Sequence, residues 1–131
     1  MTRYYSQKIL DRFMNPRHMG RIENADGVGG TQNLRCGDIM KIYIKVGERQ
    51  GEKYIKDIKF ETLGCGHAIA ISDMICQLAK DRTIEQAKSI SFEDIASQVG
   101  EVPKPKLHCI RLAETALKSA IKDYEKKQKT S

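Results

Sequence analysis

The chain has 131 residues, 40% of them hydrophobic, with 23 Lys and Arg against 17 Asp and Glu for a net charge of +6. A chain of this size buries about two-thirds of its unfolded surface, enough for a core without disulfide staples. Its hydrophobic content excludes a wholly disordered chain, and its longest aliphatic run, Ala68-Ile69-Ala70-Ile71, is too short to span a bilayer.

The first predicted element is a short helix from Ser6 to Met14, capped by Ser6, with Ile9, Leu10 and Phe13 on its apolar face. Asn15-Pro16 ends it. Residues 20–37 hold five glycines and read as irregular chain with at most one edge strand. Residues 39–46 alternate, with Met40, Ile42, Ile44 and Val46 on one face and Lys41, Tyr43 and Lys45 on the other, the pattern of a half-buried strand. A loop over Gly47–Lys53 turns the chain into a second strand, Tyr54–Thr62, which places Ile58 and Phe60 on one face. Gly64-Cys65-Gly66 breaks that strand, and apolar residues at helical spacing predict a helix from about His67 to Lys80. Thr83 with Gln86 forms a capping box for a short helix, and Ser91 opens another that ends near Gly100. Pro103 and Pro105 impose an extended segment up to His108-Cys109. The final helix, about 110–126, carries Ile110, Ala113, Ala116-Leu117, Ala120-Ile121 and Tyr124 on one stripe. The order predicts one α+β domain over residues 1–131, a small antiparallel sheet with helices packed on one face and a long C-terminal helix.

The positive charge does not imply nucleic acid. Residues 41–59 carry six Lys and Arg against three Asp and Glu, and residues 122–129 carry four Lys against two acids. No zinc-finger, RNP or arginine-rich motif accompanies them, so this surface is solvated or docks an acidic protein. Met1-Thr2-Arg3-Tyr4-Tyr5-Ser6 offers no apolar signal stretch, so a cytoplasmic, reducing compartment is expected, where disulfides are rare.

The four cysteines contain no C-x-x-C pair, so zinc-ribbon and thioredoxin spacings are missing. Cys36, in Cys36-Gly37-Asp38, precedes a strand; Cys65, in Gly64-Cys65-Gly66, lies between strand and helix; Cys109, in Leu107-His108-Cys109, precedes a helix. Junctions leave backbone amides unpaired and let side chains converge. The neighbouring glycines admit a bulky ligand close to the backbone. A single free cysteine is ordinarily a small buried hydrophobe. Three at junctions, with Asp38 and His108 beside two of them, form a ligand set suited to iron or zinc. Cys76 is eleven residues past Cys65, about 16 Å along a helix, and lies beside Ile75 on the apolar stripe; it reads as core. His67 reads equally as a donor behind the ligands or as an exposed helix-start residue, and His18 reads as surface.

In order, these motifs resemble the IscU-type iron–sulfur cluster scaffolds of the wider IscU/NifU N-terminal group. The likeness rests on Tyr5-Ser6, Ile9, Asp11, Phe13, Asn15-Pro16-Arg17 and Gly20, on the three cysteine motifs, on Lys106-Leu107, on Ala113-Glu114 and on Ala120-Ile121-Lys122-Asp123-Tyr124. It implies a scaffold, not an enzyme, that receives persulfide sulfur from a cysteine desulfurase. The scaffold combines that sulfur with iron and electrons, from a donor such as ferredoxin, into a [2Fe–2S] cluster for apo-protein acceptors. It also implies Cys36, Asp38, Cys65, His108 and Cys109 as candidate ligands, with Asp38 or His108 as the fourth. Five candidates for four positions suit a site that exchanges ligands and releases its cargo. Cys109 is the expected persulfide acceptor, on an exposed, movable segment held extended by the prolines. The resemblance leaves a homodimer open. Two positions depart from the family pattern. Val102-Pro103-Lys104-Pro105-Lys106 stands where bacterial members carry the Leu-Pro-Pro-Val-Lys segment gripped by an Hsp70-type chaperone, and His67 stands where a small residue is usual. The alternatives are a SufU-like sulfur acceptor that carries zinc on the same residues, and a binding module whose cysteines are core.

Overall fold

The computed structural model describes residues 7–33, 38–100, 102, 104 and 107–130. The elements run α1 (Gln7–Met14), β1 (Gly27–Asn33), β2 (Asp38–Arg49), β3 (Glu52–Leu63), α2 (Gly66–Ala79), α3 (Ile84–Lys88), α4 (Phe92–Val99) and α5 (Leu107–Thr130). The strands form an antiparallel sheet in the order β1-β2-β3, and the α+β class is as expected. The Ser6 cap expected for the first helix lies outside the described residues.

Alternation in β2 sorts its side chains. Met40, Ile42 and Ile44 are buried, while Ile39 and Lys41 on the other face are exposed. Tyr43 is the exception, almost fully buried on the open face. In β3, Ile58 and Phe60 fill the core as expected, and so does Ile55, which strict alternation would turn outward. The register explains it. Lys45 pairs with Asp57 and Val46 with Ile55, so Lys56 is a bulge residue that switches the parity of β3. The connection is also tighter than the expected Gly47–Lys53 loop. Only Gln50 and Gly51 lie outside the strands, both at positive φ, the backbone that suits a two-residue hairpin.

The helices cover one face. α2 packs on β3, and α5 packs on β1, β2 and α2. β1 lies unusually close to α5. A Cβ on Gly29 would sit 2.2 Å from the Ala120 nitrogen, and one on Gly27 would sit 2.3 Å from the Ala120 oxygen. These glycines let helix and strand backbones approach. Asp123 of α5 accepts a hydrogen bond from the Val28 N–H at 2.9 Å, which satisfies an edge donor. The predicted capping box of Thr83 with Gln86 is present, and Ser91, expected to open the next helix, does so in a second box with Asp94.

α1 packs on α2, with Ile9 fully buried between them and the core. The chain after α1 then runs beside the outer edge of β3. The Phe60 N–H donates to the His18 carbonyl at 2.9 Å, and the Gly20 N–H donates to the Phe60 carbonyl at 2.8 Å. This short pairing covers part of an edge that would otherwise be open.

Candidate functional site

Register places the three cysteine-bearing junctions at one end of the molecule. Asn33 of β1 pairs with Asp38 of β2, so residues 34–37, including Cys36, connect the two strands there. Ile39 pairs with Leu63, so β3 delivers the chain to Cys65 at the same end. Along β1, Gly27 lies against Tyr124, Gly29 against Ala120, and the Thr31 hydroxyl reaches the Leu112 carbonyl at 3.3 Å. Each step toward Asn33 therefore descends α5 toward its first turn, which carries His108 and Cys109.

Cys65 is the N-cap residue of α2, with extended backbone at φ −79° and ψ 176°. Its side chain makes no capping hydrogen bond. The thiol is half-buried and packs against the core. The first amides of α2 have no intrahelical acceptor by helix geometry, so this junction offers donors as well as a thiol.

His108 and Cys109 lie within α5, which starts at Leu107, earlier than the expected 110. The His108 Nε2 is 3.7 Å from the Cys109 Sγ. Cys109 is fully buried, which corrects the exposed position expected for it. The physical reason is helical spacing: Cys109 is one turn before Ala113 and two before Ala116 on the same buried stripe. Pro103, Pro105 and Lys106 of the expected extended approach lie outside the described residues, as does Cys36. Asp38 opens β2, with its side chain also outside that set. Among the described residues no three His, Cys, Asp or Glu side chains gather closely enough to hold a metal ion, and no disulfide joins Cys65, Cys76 or Cys109. The structure thus brings the junctions to one end without displaying the whole expected ligand set.

Cys76 is core, as expected. It is fully buried in α2, and burial, aided by the nearby Asp73 carboxylate, pushes its thiol pKa well up. His67 is 2% exposed, so the reading of it as an exposed helix-start residue is corrected. It sits in the first turn of α2 beneath the Cys65 junction. His18 is half-buried rather than plain surface, and burial is the largest cause of a lowered imidazole pKa.

Apolar side chains are exposed at this end of the molecule. Ile39 is 42% exposed, its cross-strand partner Leu63 is 69% exposed, and Leu107 before His108 is 38% exposed. Each is a sequence neighbour of a candidate ligand junction. Next to that pair, the Tyr43 hydroxyl donates to Glu61, which also accepts from the Arg21 guanidinium at 2.6 Å. The hydrogen bond from Tyr43, then that from Arg21, holds the Glu61 carboxyl below the usual range. Lys41 lies over the Tyr43 ring at 5.7 Å.

One buried charged side chain escaped the sequence reading. Asp73, fully buried in α2, accepts from the Arg12 guanidinium at 2.8 Å and from the Arg17 and His18 backbone amides at 2.7 Å each. The only signal was an acid inside the apolar run of α2, and its partners are 55 to 61 residues away in sequence.

Residues 4–131 match the family described as the NifU-like N-terminal domain. An iron–sulfur cluster assembly scaffold protein IscU of Archaeoglobus fulgidus is 50% identical over 123 residues, covering 94% of this chain and 78% of that protein. A scaffold protein of the same name from Escherichia coli is 42% identical over 127 residues, covering 95% and 96%. Among solved structures, a scaffold for the SUF system from Fervidobacterium islandicum superposes with a TM-score of 0.73 at 25% identity, covering 90% of this chain and 96% of that one.

Proposed function

The chain belongs to the NifU-like N-terminal domain family, and from that membership we propose that it is an iron–sulfur cluster assembly scaffold of the IscU type. The observation that carries the reading is the gathering of three cysteine-bearing junctions at one end of a rigid sheet-and-helix frame. Soft thiolates suit iron–sulfur iron, and ligands drawn from separate elements can be released one at a time.

In this reading residues 1–131 act as one scaffold domain and the cargo is a [2Fe–2S] cluster. Cys36, Cys65 and Cys109 hold it, with Asp38 or His108 as the fourth, exchangeable ligand. The frame keeps Cys65 at the head of α2 and the His108-Cys109 pair in the first turn of α5. Relatives of the chain are named as scaffold proteins, and in this reading it is likewise a platform rather than an enzyme. Sulfur comes from a cysteine desulfurase, electrons from a donor such as ferredoxin, and the finished cluster passes to apo-proteins, all in a reducing cytoplasm. No described helix is long and apolar enough to cross a membrane. The exposed Ile39, Leu63 and Leu107 supply apolar contact area where partners must approach.

Cys109 is our assignment for the first sulfur acceptor. Because its thiol is buried, delivery requires the first turn of α5 to open on docking. Mass spectrometry after mixing with desulfurase and free cysteine, without iron, locates the extra sulfur. Modification of Cys109 supports the assignment; modification of Cys36 or Cys65 with Cys109 untouched refutes it.

The competing occupant of the same residues is zinc, in the manner of a SufU-like sulfur acceptor; the structural relative from Fervidobacterium islandicum is a SUF-system scaffold. Anaerobic purification followed by metal and sulfide analysis separates the two. Iron and sulfide in equal amounts with visible absorption support the cluster. A colourless protein with zinc and no sulfide, even after anaerobic iron and sulfide addition, refutes it.

A further inference from the structure

Asp73 ties together the two limbs that meet at Cys65. One limb is α2, which Cys65 heads and which carries Asp73 eight residues further on, about 12 Å along the axis. The other is β3, whose Phe60 lies five residues before Cys65. Neither limb bonds the other through Asp73 directly. The link is the segment Arg17–Gly20. One Asp73 oxygen, Oδ1, accepts from both the Arg17 and the His18 amides at 2.7 Å. The same segment then pairs with β3, as the Phe60 N–H donates to the His18 carbonyl at 2.9 Å and the Gly20 N–H donates to the Phe60 carbonyl at 2.8 Å. The second oxygen, Oδ2, accepts from the Arg12 guanidinium at 2.8 Å, which locks α1 onto the same point.

The chemistry of this clasp is demanding. The Asp73 side chain is 0% exposed and the Arg12 side chain 16%. A buried carboxylate is tolerated only when its charge and lone pairs are met, and here two backbone amides and one guanidinium meet them. Loss of one partner therefore leaves a buried group uncompensated instead of merely removing a contact. Cys65 itself has no side-chain capping bond to fix it, so its position depends on the angle between the limbs.

We propose that Asp73 is a positioning residue for the cluster site, bracing α2 against β3 through the Arg17–Gly20 segment so that Cys65 is held facing the other ligand junctions. The importance given to Cys65 rests on the scaffold reading; the brace itself does not.

The test uses the metal-free full chain and needs no cluster. Iodoacetamide alkylation under native conditions is followed at each cysteine by peptide mass spectrometry. Cys76 is the internal control, since it is fully buried in the same helix eleven residues beyond Cys65. In Asp73→Ala, which removes the acceptor for the Arg17 and His18 amides, the Cys65 rate is expected to rise about tenfold through local opening, while Cys76, which loses only the nearby carboxylate, rises far less. Arg12→Gln gives the same comparison should Asp73→Ala fail to fold, and Arg12→Lys, which keeps the charge, should return Cys65 close to the parental rate. An unchanged Cys65 rate would overturn the proposal. So would a parallel rise at Cys65 and Cys76, which marks general loosening with no role in placing Cys65. Metal and sulfide analysis of the parent chain decides the scaffold reading separately, so failure of one is not failure of the other.

Discussion

The two ends of this molecule are finished differently. At the hairpin end, Gln50 and Gly51 close a two-residue turn, Arg82 and Asp81 bond back to Ile55, and Thr83 opens α3 with a reciprocal capping box. Asp123 of α5 satisfies the edge amide of Val28. At the other end, α2 begins with Cys65 and no side-chain cap, and Ile39, Leu63 and Leu107 lie open to solvent. The contrast teaches where stability and function reside. One end closes its turn and helix start with its own groups, while the other leaves the half-buried Cys65 at an uncapped helix start beside exposed apolar side chains, the features that the scaffold reading assigns to a cargo and its partners.

Substitutions can break or sharpen this contrast. The largest effect is expected where β1 meets α5. Gly29→Val drives a side chain into the α5 backbone and should cost about 3 kcal/mol or more in urea unfolding. A near-neutral result would mean that the close helix–strand contact is not rigid. In the core, Cys76→Ala should cost about 1 kcal/mol, at the low end for core truncation, and leave iron and sulfide uptake intact. Loss of uptake in the folded variant would place Cys76 in the site. Among the helix caps, Ser91→Ala should also cost about 1 kcal/mol in the same unfolding assay without touching the site. By contrast, Leu63→Ser at the open end should change stability by less than about 0.5 kcal/mol. A cost matching Ser91→Ala would show that the exposed leucine supports the fold and would erase the contrast.

The smallest effect is in pH. Burial holds the His18 imidazole below its ordinary pKa of 6.5. As pH falls below that value, the unfolded chain takes up this proton before the folded one, so stability declines until the lowered folded pKa is passed. His18→Gln should flatten that decline in unfolding curves collected across the window. An equally steep decline in the variant would assign it to other groups.

The legible parts of the fold were those written in local pattern. β2 alternates, Thr83 and Gln86 stand at capping-box spacing, Ser91 marks a helix start, and Cys76 falls on an apolar stripe. What escaped depends on partners far away in the chain. The Lys56 bulge, which carries Ile55 into the core, is set by cross-strand register rather than by its own residues. Asp73 gave little signal because its partners come from α1 and the chain after it. Cys109 was misread as exposed because the stripe Ala113, Ala116, Ala120 was not continued one turn back. The candidate ligands were legible as motifs, and pairing in the sheet, invisible to any single motif, brings their junctions to one end.

The most direct test of the central claim, that these junctions jointly hold one iron–sulfur cluster, is anaerobic reconstitution with iron and sulfide across single alanine variants of the four cysteines. Visible absorption and bound iron and sulfide are read on folded protein. The account predicts that Cys36→Ala, Cys65→Ala and Cys109→Ala each lose most of the absorption while Cys76→Ala keeps it. Full absorption in any of the first three would remove that residue from the site, and full absorption in all three would contradict the account.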